Sequence, residues 1–444
     1  MQRRYRDLYR GGEQLKANAA EYLLRRQKEP LAVYDERLQR VYYENFIGSA
    51  IDWYAATLFR REPLLMIEGV DQRGIKFFHE FSEDCDLRGS SLTEFYRKQL
   101  LEALVSGVSY TLVDFPRARR QPSNLADEDR MGASRAYLSH CGAEELINWS
   151  TDERGGFDWV VLRNSTIRKG SVESPDWDRE TRWLYYDRES FQVWRRIAQG
   201  HTTGPMEQVD AGRHAFAAKG EVPLIPLRLS DGLWLMNRAG LLQLEHFNKS
   251  NALGWALTQG LFAMPVIYSE RDWNQVVGDS YYIQLAPNDR FGWTEPEGRV
   301  YSIAGENLSR LREEIYRVCY LLSQAGGALA GQQSGIAKQR DFSITQEVLR
   351  ALGDQVKDAM KQVLRGIAHV RGDDVSIGVS GLDEFDIGDF TNELADAKEL
   401  LALGVESPTL RKQVLKKLAF KYLCDVGQET KDRIASEIEG PVQP

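Results

Sequence analysis

Between positions 307 and 367, apolar residues recur at helical spacing on both sides of a glycine-rich run. Leu308, Leu311, Ile315, Val318 and Leu322 alternate with Arg310, Arg312, Glu313, Glu314 and Arg317. That spacing predicts one apolar stripe on a charged rod. A second rod follows, with Ile344, Val348, Leu352, Val356, Ala359, Val363 and Ile367 on its stripe. Ser343 and Gln346 have the spacing of a capping box and are expected to open it. The intervening Ala325-Gly-Gly-Ala-Leu-Ala-Gly-Gln-Gln-Ser-Gly-Ile-Ala-Lys338 has little side-chain bulk and is expected to bend.

The same reading extends over the rest of the chain. After Pro30, a single helical segment is expected through Leu38, Val41, Phe46, Ile51, Tyr54 and Phe59, stopped by Arg60-Arg-Glu-Pro63. Helices are expected over 76–86 and from Ser91, the latter ended by Gly107. Val108-Ser-Tyr-Thr-Leu-Val-Asp114 then reads as a strand, and 117–135 as a solvent-exposed loop in which Arg117, Arg119 and Arg120 could touch phosphate. Short aromatic and β-branched runs at 159–163, 182–186 and 191–195 predict an antiparallel meander. Pro223 and Pro226 make 222–229 an edge strand or connector. A long helix is expected over 233–259, its side carrying Leu235, Ala239, Leu242, His246, Leu253 and Leu257, and its Asn237, Asn248, Lys249, Ser250 and Asn251 suited to packing on a copy or partner. His246 reads as a packed histidine. Residues 261–303 return to strands and turns, 375–379 to a strand, and 382–390 to an acidic loop. Helices are expected over 392–403, from Ser407-Pro-Thr409 through Cys424, and over 428–439.

Composition narrows the class. A chain of 444 residues exceeds one ordinary core, so two or three structural units are expected. A net charge of -8 argues against a continuous basic surface that wraps nucleic acid, whereas a protein past which nucleic acid must slide can be acidic. Cys85, Cys141, Cys319 and Cys424 are scattered and read as reduced thiols. No apolar leader or run of membrane-spanning length is seen, so no membrane association is expected.

No catalytic, cofactor-binding or metal-binding set is legible. Gly326 to Gly331 has the spacing of a phosphate loop, but Gln332 and Gln333 stand where Lys and Ser or Thr would supply counter-charge and a magnesium ligand. Asp383, Glu384, Asp386 and Asp389 lack calcium-loop spacing. The chain is therefore not expected to be an enzyme.

The succession of parts carries more information than any motif. A helical and β region, a long helix, a small β-containing insert, a second long helix, a Gly-rich bend with Gln333-Ser-Gly-Ile-Ala-Lys338, another helix and a helical C-terminus resemble the portal proteins of tailed bacteriophages. Leu104-Val-Ser-Gly-Val-Ser-Tyr-Thr-Leu-Val-Asp114 and Val405-Glu-Ser-Pro-Thr409 add to the resemblance, which covers about Tyr34 to Glu439. It implies an α+β portal fold with a wing at 1–232 and 342–390, stem helices at 233–259 and 306–324, a small α/β clip at 260–305, a tunnel loop at 325–341 and a reduced helical crown at 391–444. It also implies a ring, typically dodecameric, at one capsid vertex of the virion, made in the bacterial host cytoplasm. Double-stranded DNA would pass through the ring, driven by the terminase large subunit. A head-completion or adaptor protein would dock on the clip, and the major capsid and scaffolding proteins would be further partners. Gln332, Gln333, Ser334, Lys338 and Arg340 would lie nearest the DNA, and Trp273, Tyr281, Tyr282 and Trp293 would bind the clip partner.

Two other classes remain compatible with the residues. One is a helical adaptor or scaffold of a viral assembly that never meets DNA. The other is a nucleotide enzyme acting through the Gly-rich bend. At the bend, Lys338 and Arg340 could equally be plain solvated helix-end charges.

Overall fold

The computed structural model describes residues 2–117, 123–169, 177–199, 202–260, 264–269, 287–294, 298–321, 335–383, 399, 407–422, 430, 433–434 and 437–438. The fold is mixed α+β. It divides into two compact units, one of Met1–Gln2, Ile51–Asn237 and Ser343–Pro444, the other of Arg3–Ala50 and Arg238–Phe342.

The N-terminal helices are α1 (Gln2–Arg10), α2 (Gly12–Ala17), α3 (Leu31–Gln39) and α4 (Phe46–Leu58). The single helix expected after Pro30 is thus two. The break at 40–45 exists because its backbone is used elsewhere: the Tyr42 N–H donates to Asn251 Oδ1 (3.1 Å), and the Glu44 carbonyl accepts from Gln243 Nε2 (2.7 Å). Asp7, fully buried, accepts hydrogen bonds from Gln14 (2.9 Å), Asn18 (2.9 Å) and Tyr22 (2.6 Å), which ties α1 to the turns that follow it.

Next come β1 (Leu64–Gly69), α5 (Gln72–Glu83), α6 (Leu92–Ser106), β2 (Val108–Asp114), α7 (Leu125–Arg130), β3 (Tyr137–Gly142) and β4 (Leu146–Thr151). The signals around α6 act as expected. Ser91 Oγ accepts from the Glu94 N–H (3.2 Å), and Gly107 takes φ +85° at the other end, where a Cβ would meet the Trp234 ring at 3.0 Å. The stretch 117–135, expected as an exposed loop, includes α7 and a polar junction in which Asp129 is exposed while Ser134, Arg371 and Asp373 are buried. Arg73 makes two hydrogen bonds to Asp129 (2.6 and 2.9 Å), Ser134 Oγ donates to Asp129, and Arg371 donates to the Ser134 carbonyl and to Asp373 (2.6 Å) while lying 3.6 Å from the centre of the Phe77 ring. Arg73 holds the Asp129 carboxyl down to about 2, against burial, which raises it; the Ser134 hydroxyl also lowers it. Arg117 is ion-paired with Asp210 and lies 4.3 Å over the Phe191 ring, so its charge is engaged within the chain. Arg119 and Arg120 lie outside the described residues.

The meander comprises β5 (Phe157–Arg168), β6 (Asp178–Asp187), β7 (Ser190–Gln199), β8 (Thr202–Thr203) and β9 (Glu207–Arg213). With β4 these strands form one sheet, ordered β4-β5-β6-β7-β8, with β9 also paired to β7. Among the described residues, strand β10 (Leu224–Arg228) pairs only with β2, in a second sheet ordered β10-β2-β3, so the proline-bearing run is an edge strand as expected. Alternation along β2 builds two interfaces. Tyr110 and Leu112 meet Leu146, Val160, Leu162, Tyr186 and Phe191 in an apolar core, while Ser109 Oγ donates to the Gln99 carbonyl of α6 (2.9 Å). Each of the larger apolar side chains closed off there contributes about 1.5–3 kcal/mol.

Helix α8 (Leu235–Gly260) is followed by β11 (Met264–Tyr268) and β12 (Arg290–Thr294), an antiparallel pair, and then by α9 (Gly298–Val318), α10 (Gly335–Arg371), β13 (Val375–Ser380) and α11 (Pro408–Tyr422). Helix α9 begins nine residues before the expected Asn307 and ends short of Leu322. It ends in a Schellman arrangement: the Leu321 N–H donates to the Tyr316 carbonyl (2.8 Å), and Tyr320 sits at φ +60°. A tyrosine there carries no sequence signal for a stop. Helix α10 starts at Gly335, so Ser343 lies inside it and is not its cap. Its buried stripe uses Thr345 and Leu349 where Ile344 and Val348 were expected, then follows Leu352, Val356, Ala359, Val363 and Ile367 as expected. The Gly372 and Asp373 N–H groups close the end of α10 on the carbonyls of His369 (3.2 Å) and Ala368 (3.0 Å). Strand β13 pairs with β1 from Leu64↔Ser380 to Gly69↔Val375. Ser407 Oγ accepts from the Leu410 N–H (3.2 Å) and caps α11 as expected.

Candidate functional site

Helices α8 and α9 form an antiparallel pair with a fixed register. Arg238 Nε donates to the Val318 carbonyl (3.0 Å), Lys249 Nζ to Asn307 Oδ1 (2.9 Å) and Tyr301 Oη to the Ala256 carbonyl (3.5 Å), so numbers rise along α8 as they fall along α9. Arg238 also lies over the Tyr320 ring at 4.7 Å, which holds the left-handed stop of α9 against the start of α8.

The buried side of α8 differs from the expected stripe. Leu235, Met236, Ala239, Gln243, His246, Phe247, Ser250 and Asn251 are closed to solvent, whereas Leu257 is exposed. Of the polar positions expected to meet a copy or partner, Asn248, Lys249, Ser250 and Asn251 make hydrogen bonds within the chain, and Gln243 does so beside them. Gln243 bonds the Ile47 N–H (3.2 Å) and the Glu44 carbonyl (2.7 Å), Asn248 the Leu24 N–H (2.9 Å) and the Tyr22 carbonyl (3.0 Å), and Asn251 both the N–H (3.1 Å) and the carbonyl (2.9 Å) of Tyr42. Irregular backbone at 22–24 and 42–47 cannot pair with itself, and amide side chains offering one donor and one acceptor satisfy it. A run of Asn and Gln at helical spacing was the available signal. His246 is 3% exposed, with its ring edge-on to Phe46 at 5.0 Å. Burial lowers its pKa, with Glu44 opposing the shift, so it is the packed histidine expected.

Among the expected DNA-facing residues, Gln332, Gln333 and Ser334 lie outside the described residues. Lys338 and Arg340 fall in the first two turns of α10, with their side chains outside what is described. Trp273, Tyr281 and Tyr282 also lie outside the described residues, and Trp293 pairs with Pro265 in the β11–β12 ladder, its side chain not described. The phosphate-loop-like 326–331 and the acidic Glu384, Asp386 and Asp389 are likewise outside, and no group of residues able to hold a metal ion occurs among the described residues. Cys85, Cys141 and Cys319 are buried and not in disulfides, and burial pushes Cys85 and Cys319 up to about 12. No described helix is long and apolar enough to cross a membrane.

No protein-family model matches the sequence, and no curated protein does. In fold, the chain is similar to a chain in the neck of an empty gene transfer agent particle computed with C6 symmetry, with a TM-score of 0.48 and 13% identity over 83% of this chain and 89% of that one. It is also similar to a chain in the virion of a native gene transfer agent particle, with a TM-score of 0.45 and 13% identity over 82% of this chain and 87% of that one. A chain in the neck of the native particle computed with C12 symmetry gives a TM-score of 0.42 and 12% identity over 82% and 86%.

Proposed function

We propose that this chain is a portal-type head-to-tail connector subunit of a phage-like particle. It acts as a structural conduit for double-stranded DNA, without enzymatic activity, and assembles as a ring at one capsid vertex. The observation that carries this proposal is the antiparallel α8–α9 pair. Its two helices are separated in sequence by the β11–β12 insert, and among the described residues Leu241 (63% exposed), Val300 (66%) and Ile303 (56%) on them are exposed apolar side chains. Apolar positions of this kind on paired helices suit side-by-side packing of copies in a closed ring.

In this proposal α8 and α9 form the stem, and the insert between them forms the clip, which meets the terminase large subunit during packaging and a head-completion or adaptor protein afterwards. The segment preceding α10 faces the DNA. Lys338 and Arg340 stand where the helix dipole already favours an anion. An acidic chain with few cations at a constriction touches phosphate without holding it, because affinity climbs steeply with the number of phosphates neutralised.

Negative-stain electron microscopy of the purified protein tests the assignment. Rings with a central channel are expected; monomers or small oligomers under all conditions would overturn it and favour the adaptor class. Lys338→Glu with Arg340→Glu is expected to impair DNA packaging while leaving rings intact.

A further inference from the structure

In the sheet β4–β9, the face bearing Val160, Leu162, Tyr186 and Phe191 packs into the core. The opposite face of β5–β7 would be polar in an antiparallel sheet that only meets water. Instead the register sets Trp183 beside Arg163 on one side and Trp194 on the other. Trp159 stacks on Tyr185 with ring centroids 6.4 Å apart and planes at 28°. The Arg196 guanidinium lies 5.5 Å over Trp183, and Trp194 Nε1 donates to Gln192 Oε1 at 3.2 Å, which fixes the indole. Arg163 and Arg179 are exposed on this face. Asp187, opposite Trp159 on this face, already accepts from the N–H groups of Glu189 (2.8 Å) and Ser190 (2.5 Å). Trp, Tyr and Arg held in place at a surface are the residues that concentrate binding energy.

The chain carries a segment of matching chemistry. Asp383-Glu-Phe-Asp-Ile-Gly-Asp-Phe390 interleaves Asp383, Glu384, Asp386 and Asp389 with Phe385, Ile387 and Phe390. We propose that the acidic, aromatic segment 383–390 of a second copy docks on the outward face of β5–β7. Its carboxylates meet Arg163, Arg179 and Arg196, and its phenylalanines pack on Trp183 and Trp194. Complementary charge selects the segment and sets its register, and the aromatic contacts supply affinity. Only the source of the segment, a neighbouring copy, rests on the proposed ring.

A fluorescently labelled peptide of residues 383–390, titrated into the full chain at low salt, tests the face. Saturable binding is expected. It should weaken about tenfold or more in Arg163→Glu/Arg179→Glu/Arg196→Glu. A peptide with every carboxylate amidated should lose binding equally, which needs no change to the protein. Failure to saturate by millimolar peptide, indifference to either change, or uptake of a single-stranded oligodeoxynucleotide but not of the peptide would overturn the proposal. For the source, a photo-crosslinker at position 385 in mixed isotopically light and heavy full chains should give light–heavy pairs ending in 157–199. Pairs within one copy only would overturn the second-copy source. Rings seen without docking leave the connector assignment standing, and docking without rings leaves the face standing.

Discussion

Helices α9 and α10 both carry an apolar stripe in sequence, yet they spend it differently. From Leu349 to Ile367, α10 closes Leu352, Val356, Met360, Val363 and Leu364 off from solvent within its own unit, where the Tyr96 hydroxyl reaches the Ala359 carbonyl (3.2 Å) and Gly353 lets the Leu382 backbone come close. Helix α9 fully buries only Ile315 of its stripe, leaves Leu308, Leu311 and Val318 half-buried, and exposes Val300 and Ile303 nearer its start. A helical period guarantees a face but does not say what covers it. For α10 the cover is its own chain, whereas for α9 it is proposed to be another copy.

Substitutions on the two helices should therefore behave oppositely. The largest effect is expected at α10, where Leu352→Ala should cost about 2–5 kcal/mol in chemical denaturation, because the surrounding stripe cannot collapse onto the void. Next is Asn251→Ala in α8, which strands both the N–H and the carbonyl of Tyr42 and should cost about 1–3 kcal/mol by the same measurement. A pH effect of smaller size is expected at the junction of α7 with the end of α10. Asp129 is held near 2, below its ordinary 3.8, so the stability it contributes is complete above pH 3.8 and is lost as pH falls through about 2. Denaturation curves between those limits should flatten in Asp129→Asn. The smallest effect on the chain itself is expected from Val300→Ser with Ile303→Ser, within about 0.5 kcal/mol. The same pair should weaken self-association in sedimentation; unchanged association would remove α9 from the interface and erase the contrast with α10.

Local signals in the sequence located whole elements where local physics decides them. Ser91 and Gly107 bracket α6 because a side-chain cap and a left-handed residue act within one turn. Strands β5–β7 were legible from their aromatic and β-branched runs. The β1–β13 pairing was not, because the partner of Leu64 is Ser380, and nothing in a window around 64–69 announces it. Ser343 and Gln346 mimic a helix start, but the helix already under way from Gly335 passes through them. The Asn and Gln positions of α8 were visible as polar residues at helical spacing, yet polarity alone does not distinguish a partner's surface from irregular backbone of the same chain. Of the candidate site, sequence supplied the order of parts and the identity of residues, while the described geometry is that of the helices flanking it.

The pairing of α8 with α9 has a mechanical consequence. Its polar ties run from Arg238 to Ala256 along α8, a span of about 27 Å at the rise of an α-helix. Two rods tied at both ends and near the middle resist bending and splaying far more than either rod alone. Sliding one along the other by a single residue misaligns all the ties together, at a cost of about 1 kcal/mol each. The pair is therefore a strut with a detent: it carries load along its length and yields to shear only in discrete steps.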